Sequence, residues 1–464
     1  MATVSEKFAS HYRARREMSD LADLARLFVA RLFYPADIHL PATVTHLVEA
    51  RKHRKVEALE HRKLKGLAGS QADVDKFAVW LGDFITLGQR TRGTSCYPLH
   101  PLLSCLRNGE ESRMDDFIMT LVQSFSSADR QHLHNALWGN LPPFEKAIYD
   151  LVQWQIEGAE QTSVAIAEQA KPGMDSSLTP AATAILERAR EDLLALATEV
   201  NGVQDFTDHA GRLLALALTR FFLAQANVDM TLPIYAAPAT DSHEGVRTLA
   251  HEAIEVHRAR FEQALHRQFA AFFQDAVAEN GGATDPSSVT DARALTKRIF
   301  HPSANIVSSQ YADLHKEYGN LCGVAYYYYW QHSGARSRFL RQLHSAQLNL
   351  AKKAGIANSR SQYSSWHYYW LSPSLVETLL LVSRPRLKRD RMLVVELLRD
   401  WRERYGLTML IDDSWQDTYR ANFPGLGNPE ALNEANQRRF SEILSERGRL
   451  HKNSDDFPWV ILRD

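Results

Sequence analysis

The stretch RMLVVELLRDWRERYGLTMLIDD, residues 391–413, decides the fold that we predict for the end of the chain. Its apolar residues recur at three- and four-residue steps, which predicts an amphipathic helix with one buried stripe. The row at this spacing comprises Met392, Val395, Leu398, Arg402 and Tyr405. Gly406 predicts the end of the helix, because glycine accepts the left-handed conformation at a C-cap. The apolar run 407–411 then predicts a short buried strand.

The remaining residues predict one more helix and a terminal hairpin. Asn428-Pro429 is typical of a helix start, with asparagine as the N-cap and proline at the first helical position. Gly448 predicts the end of this helix, and two short apolar segments around the polar cluster 453–456 predict the hairpin. Helix, strand, helix and hairpin in this order are expected of a winged-helix-like module.

The whole chain of 464 residues is longer than a single hydrophobic core usually serves. Helical periodicity dominates, and linker-like segments occur at 171–177 and 281–288. The sequence therefore predicts a mainly α, multi-domain protein. The predicted domains are an N-terminal helical domain (residues 1–170), a central helical bundle with a long helix (178–280), an aromatic-rich helical domain (289–385) and the winged-helix-like C-terminal module (386–464).

Composition excludes several classes of protein. A net charge of -1 excludes a globally basic nucleic-acid coat, so nucleic-acid binding would need a local patch. Only three cysteines occur, too few for a disulfide framework, which predicts a reducing compartment. The first twenty residues lack the apolar core of a signal peptide. The longest apolar segment, 213–226, contains Arg220 and is too short to cross a bilayer. We predict a cytoplasmic protein without a membrane partner.

No catalytic motif stands out in the sequence. A P-loop and a G-x-S-x-G elbow are both absent, so we predict no cofactor, no metal and no catalytic residue. The segment His251, Glu252, Glu255 and His257 leaves one alternative open, an unrecognised metal-dependent nuclease or hydrolase. Its histidines are six positions apart, whereas a zincin helix needs four, and we interpret them as surface histidines.

Two further segments have a functional and a structural interpretation. The basic stretch 51–65 could contact phosphates, but a solvated helix face with Glu–Lys and Glu–Arg pairs is favoured. The aromatic groups 326–330 and 363–370, with basic residues between them, could form a groove for single-stranded nucleic acid. Successive aromatics point all round a helix, which favours packing in the core.

DNA binding is the functional hypothesis for the C-terminal module, through contacts that position the backbone without reading sequence. Its second long helix, the hairpin and the basic run before the module would supply the contacts. The candidate residues are Arg438, Arg439, Arg447, Arg449, His451, Lys452, Arg384, Arg386, Lys388, Arg389 and Arg391. Two alternatives remain: docking of a protein by the same module, and a homo-oligomeric scaffold that binds no DNA.

Four segments together resemble a known group of proteins. They are RLLALALTRFFLAQA (212–226), SHEGVRTLAHEAIEVHRARFEQAL (242–265), LRDWRERYGLTMLIDD (398–413) and NEANQRRFSEILSERGRLHKNSDDFPWVIL (433–462). The combination is similar to accessory proteins of bacterial anti-phage restriction loci, such as the helical partner of DNA-phosphorothioation-dependent restriction systems. These are encoded beside a HerA/FtsK-type ATPase and lack a recognised active site. The resemblance implies a non-enzymatic subunit that binds DNA, docks a motor ATPase or nuclease, or does both.

Overall fold

The computed structural model describes residues 21–33, 86–90, 93–96, 115–143, 145–147, 149–150, 178–226, 232–233, 245, 247–261, 341–359, 366–413, 416–417, 421, 429–452 and 458–462. These residues are mainly α-helical, as the sequence predicts. The basic stretch 51–65, the aromatic run 326–330 and both predicted linkers lie outside them.

The helices and strands are numbered here in chain order. The helices are α1 (Leu21–Phe33), α2 (Asp115–Gln123), α3 (Ser127–Trp138), α4 (Pro180–Glu199), α5 (Val203–Gln225), α6 (247–261), α7 (Arg341–Ala354), α8 (Pro373–Leu387), α9 (Val394–Tyr405) and α10 (Pro429–Glu446). The strands are β1 (Thr86–Arg90), β2 (Gly93–Cys96), β3 (Leu232–Pro233), β4 (Ala357–Ser359), β5 (His367–Tyr369), β6 (Arg391–Leu393), β7 (Leu407–Thr408), β8 (Leu450–Lys452) and β9 (Pro458–Ile461).

Helix α5 lies at the centre of the fold. Most of its residues are buried, including all three phenylalanines, Phe206, Phe221 and Phe222, because the helix is apolar nearly all round. Helices α1, α4 and α7 pack against it, and α8 packs against α4. The prediction of a central buried helix in this region is confirmed.

Gly211 is where α5 approaches α1 most closely. A Cβ atom at this position would lie 2.4 Å from the backbone oxygen of Leu21. The substitution Gly211→Ala should therefore push the two helices apart and lower the free energy of unfolding by about 1–3 kcal/mol. Denaturant unfolding measures whether the variant is less or more stable. The direction of the change tests the close approach, because an unhindered glycine-to-alanine change inside a helix stabilises the protein by roughly 0.5–1 kcal/mol. A stabilised variant would contradict the close approach.

The C-terminal part contains a three-stranded antiparallel sheet. Strand β9 lies in the middle and pairs with both β6 and β8, so the strand order is β6–β9–β8. The helix that begins at Pro429 and the terminal hairpin are confirmed. Gly406 and Gly448 both have positive φ at helix ends, as predicted. Residues 453–457, between β8 and β9, lie outside the described residues.

The predicted stripe of α9 was partly wrong. Residues 391–393 form strand β6, in which Met392 pairs with Val460, and the helix begins only at Val394. Its buried residues are Val394, Leu397, Leu398, Trp401 and Tyr405. Val395 belongs to the opposite side and is 42% exposed. The sheet removes the first turn from the helix and shifts the buried face by one residue.

Helix α8 continues past Pro385. It contains Pro385 and closes at Leu387, where the backbone N–H of Lys388 donates to the carbonyl of Arg384. Ion pairs of Arg384 and Arg386 with neighbouring helices hold this last turn in place. The predicted boundary between residues 385 and 386 consequently falls inside α8.

The aromatic group 366–370 is packed in the core, as predicted. Tyr368 and Tyr369 are buried on β5, and Trp366 and Trp370 pack against the same cluster. None of the helices in the described part of the chain combines the length and apolar character that crossing a bilayer requires.

Candidate nucleic-acid interface

A buried ion pair joins α9 to the central bundle. The guanidinium of Arg404 contacts the Asp192 carboxylate of α4, with Nη2 2.7 Å and Nε 2.9 Å from Oδ1. The Nη2 atom also donates to the carbonyl of Arg188 and to Glu191, each at 3.0 Å. The side chain of Asp192 is only 4% exposed. This pair therefore fixes the C-terminal end of α9 against α4.

Two further arginines cap the same helix end. Arg220 of α5 donates from Nη1 to the carbonyl of Arg404 at 2.8 Å, and Arg188 of α4 donates to the same oxygen at 2.9 Å. Cations stabilise the C-terminus of a helix, where unpaired carbonyls carry partial negative charge. Arg220 is the charged residue within the apolar segment 213–226, and its hydrogen-bond partner thus lies 184 positions further along the chain.

Burial sets the titration of this group of side chains. It lowers the pKa of Arg220 to about 10 and raises the pKa of the Asp192 carboxyl, which Arg404 opposes. Burial is the largest single influence on the pKa of Arg404 and lowers it, but the Asp192 and Tyr405 charges and the hydrogen bonds to Asp192 and Glu191 together outweigh it, so the net direction is upward. Arg404 is therefore charged throughout the physiological range, and the contact is an ion pair.

Several of the predicted DNA contacts on α10 are engaged in ion pairs. Arg439 lies 2.6 Å from Glu442, and Arg438 lies 3.4 Å from the same carboxylate. Arg447, just after the helix, pairs with Glu377 of α8. Helix α10 also carries four glutamates against two arginines, so its own charge is negative.

The basic run before β6 is largely neutralised in the same way. Arg384 lies 2.6 Å from Glu199 of α4, and Arg386 makes a two-pronged contact with Asp400 of α9. Arg389 lies 3.6 Å from Glu396. Lys388 is exposed and occupies the left-handed C-cap of α8. The side chain of Lys452 lies outside the described residues.

The outer face of the three-stranded sheet collects the remaining candidates. Side chains alternate between the two faces of a strand, and directly paired residues share a face. Val460 and Met392 are buried and therefore face the core. The opposite face of the sheet carries the residues that alternate with them along the strands. We call this surface the basic sheet face; it comprises Arg391, Leu393, Arg449, His451, Trp459 and Ile461.

Strand pairing brings these residues into two rows. Trp459 pairs with Leu393 on one side and with His451 on the other. Ile461 pairs with Arg391 and donates its backbone N–H to the carbonyl of Arg449 at 2.8 Å. The six positions contain three basic residues, three apolar ones and no carboxylate.

Trp459 is the centre of the basic sheet face. The guanidinium carbon of Arg391 lies 5.4 Å from the centroid of its ring, a cation–π distance. The indole is partly exposed, and His451 and Arg391 are exposed. A partly exposed indole next to the Arg391 guanidinium presents a flat π surface with positive charge beside it.

Sequence reasoning selected the basic members of this face but missed the aromatic one. The signal was the alternation in PWVIL, residues 458–462, where Trp459 and Ile461 flank Val460. Period-two alternation predicts that Trp459 faces away from the core. Its juxtaposition with Arg391 depends on pairing across 68 positions, which no local pattern indicates.

The histidine segment of α6 packs against β5. His251 contacts the carbonyl of His367 through Nδ1 at 2.6 Å, and its ring lies 4.5 Å from that of Trp366. His257 is 5% exposed and bonds the Tyr369 hydroxyl at 3.0 Å, so the interpretation as a surface histidine was wrong. Across the residues that the structure describes, no three potential ligands converge as a metal site requires.

The chain matches none of the protein-family models, curated proteins or solved structures with which it was compared. The geometry of the basic sheet face and the sequence patterns therefore carry the functional argument.

Proposed function

We propose that the chain is a non-enzymatic subunit that binds nucleic acid through a winged-helix-like C-terminal module. The strand order β6–β9–β8 and the terminal hairpin support the winged-helix-like assignment. The observation that carries the binding proposal is the basic sheet face, which combines Arg391, Arg449 and His451 with Trp459 and lacks carboxylates. Cations supply affinity for phosphates, and an exposed aromatic ring supplies a stacking surface.

This proposal moves the contacts away from α10. A phosphate approaching Arg439 or Arg447 would have to displace a carboxylate that already neutralises the guanidinium. Residues 386–464 also contain equal numbers of acidic and basic residues, so the module has no overall basic character. Binding must use a local patch, and the six positions of the basic sheet face include no Asp or Glu.

Fluorescence anisotropy of labelled DNA at low salt tests the assignment. The double variant Arg391→Gln/His451→Gln should weaken binding at least tenfold, because an exposed guanidinium and an exposed imidazole leave the contact surface. The matched control is Arg438→Gln/Arg447→Gln, which removes two ion-paired cations elsewhere in the module and should change affinity less than threefold. Equal losses in both variants, or no binding by the unaltered chain, would refute the sheet-face assignment.

The resemblance to accessory proteins of anti-phage restriction loci extends the proposal to a complex. The chain would hold nucleic acid while a HerA/FtsK-type ATPase, or a nuclease, acts on it. The negative charge of α10 favours a second candidate role for that helix, docking of a protein partner. Coexpression with the ATPase separates the roles: charge reversal at Glu434 and Glu446, both exposed, should release the ATPase but leave DNA binding unchanged.

A further inference from the structure

We infer that the basic sheet face binds single-stranded nucleic acid in preference to duplex, with one unpaired base stacked on Trp459. This inference rests on the proposed function and specifies its substrate. The relevant surface is one face of a three-stranded antiparallel sheet and not a protruding helix. Such a face is broader than the helix or two-stranded ribbon that the major groove accepts.

The composition of the face fits an unpaired base. A duplex presents its phosphates but buries the faces of its bases, so an indole on the contact surface has no base face on which to stack. A single strand exposes both, and stacking on an aromatic side chain tolerates every base. The apolar neighbours of the ring are Leu393, which pairs with Trp459 across the strands, and Ile461, two residues along the same strand, and they extend the platform on which a base can rest.

The position of the cations fits a backbone that passes beside the stacked base. The guanidinium of Arg391 lies over the Trp459 ring, 5.4 Å from its centroid, so a positive charge adjoins the stacking surface. Arg449 lies just before the far edge strand β8, in the row of Arg391, with Ile461 between them. A phosphate on each side of one base would meet a cation at both edges of the sheet. Charge complementarity therefore favours an acidic polymer over a neutral or basic protein surface.

The experiment compares a labelled dT12 oligonucleotide with a labelled 12-base-pair duplex, titrated with the full chain at one salt concentration. The unaltered chain should bind the single strand at least tenfold more tightly. The substitution Trp459→Leu should weaken single-strand binding by about 5- to 150-fold, the measured range for losing one stacked base. Trp459→Phe, which keeps an aromatic ring, should retain most of the affinity.

The control for folding is the thermal unfolding midpoint of each variant, since Trp459 is partly buried. If Trp459→Leu unfolds, Trp459→Met, which also lacks a ring but has a longer apolar side chain, takes its place beside Trp459→Phe. Equal affinity for both probes, or affinity unchanged by both variants, would overturn the preference for single strands while leaving nucleic-acid binding intact. If the chain bound neither the single strand nor the duplex, the proposed function would be overturned as well. Competition by polyglutamate as effective as that by dT12 would also overturn it, because it would identify a generic acidic-protein surface.

Discussion

Replacing Arg404 by methionine should lower the free energy of unfolding by about 3–5 kcal/mol, because the buried Asp192 carboxyl is left without its main partner. The Arg404 side chain is 11% exposed, so solvent screens the pair weakly. Denaturant unfolding followed by circular dichroism measures the change. The same variant also removes donors to Glu191 and to the carbonyl of Arg188, which adds to the loss.

Two comparisons isolate the ion pair from packing. Arg402→Met on the same helix removes a pair with Asp412, whose side chain is 42% exposed, and should cost less than about 1 kcal/mol. The double variant Arg404→Met/Asp192→Leu should recover part of the loss, since no uncompensated charge remains. Two results would contradict the account of this junction. In one, Arg404→Met loses no more stability than Arg402→Met; in the other, the double variant loses as much stability as its two single variants added together.

The second large effect is expected at Trp401, the centre of the C-terminal core. Trp401→Ala should lower the free energy of unfolding by about 3–5 kcal/mol, because the side chain is buried and leaves a large cavity. Its ring meets Phe440 of α10 edge-on at 5.8 Å, and Nε1 donates to the hydroxyl of Ser383 at 3.1 Å. Loss of the ring therefore loosens α8, α9 and α10 together.

A matched pair of variants checks this interpretation by denaturant unfolding. Trp401→Phe keeps most of the volume and removes the hydrogen bond, so an intermediate loss is expected. Val395→Ala, on the exposed side of the same helix, should change stability by less than about 0.5 kcal/mol. Similar losses for Val395→Ala and Trp401→Ala would mean that the helix faces are wrongly assigned.

The features that the sequence predicts correctly are those decided by nearby residues. Pro429 and Gly448 mark the two ends of α10, because proline suits a first turn and glycine suits the left-handed cap. The continuous apolar character of α5 likewise predicts a buried central helix. Each of these patterns lies within a single helix or at its ends.

The features that sequence reasoning missed depend on distant partners. Met392 fits a helical stripe, but pairing with Val460 makes it part of a strand and moves the buried face of α9. Arg384 has the charge of a DNA contact, yet Glu199 lies 2.6 Å away from a position 185 residues earlier. No local pattern indicates either partner. For this reason the candidate site lies on the sheet and not, as predicted, mainly on α10.

The dependence of single-strand binding on salt tests the central claim, that the cations of the basic sheet face hold nucleic acid. We predict a slope of log affinity against log salt between about −1.4 and −2.1, as two or three neutralised phosphates would give. Arg391→Gln should make this slope shallower by about 0.7, whereas Arg438→Gln should leave it unchanged. A slope near zero, or one that only Arg438→Gln changes, would contradict the claim.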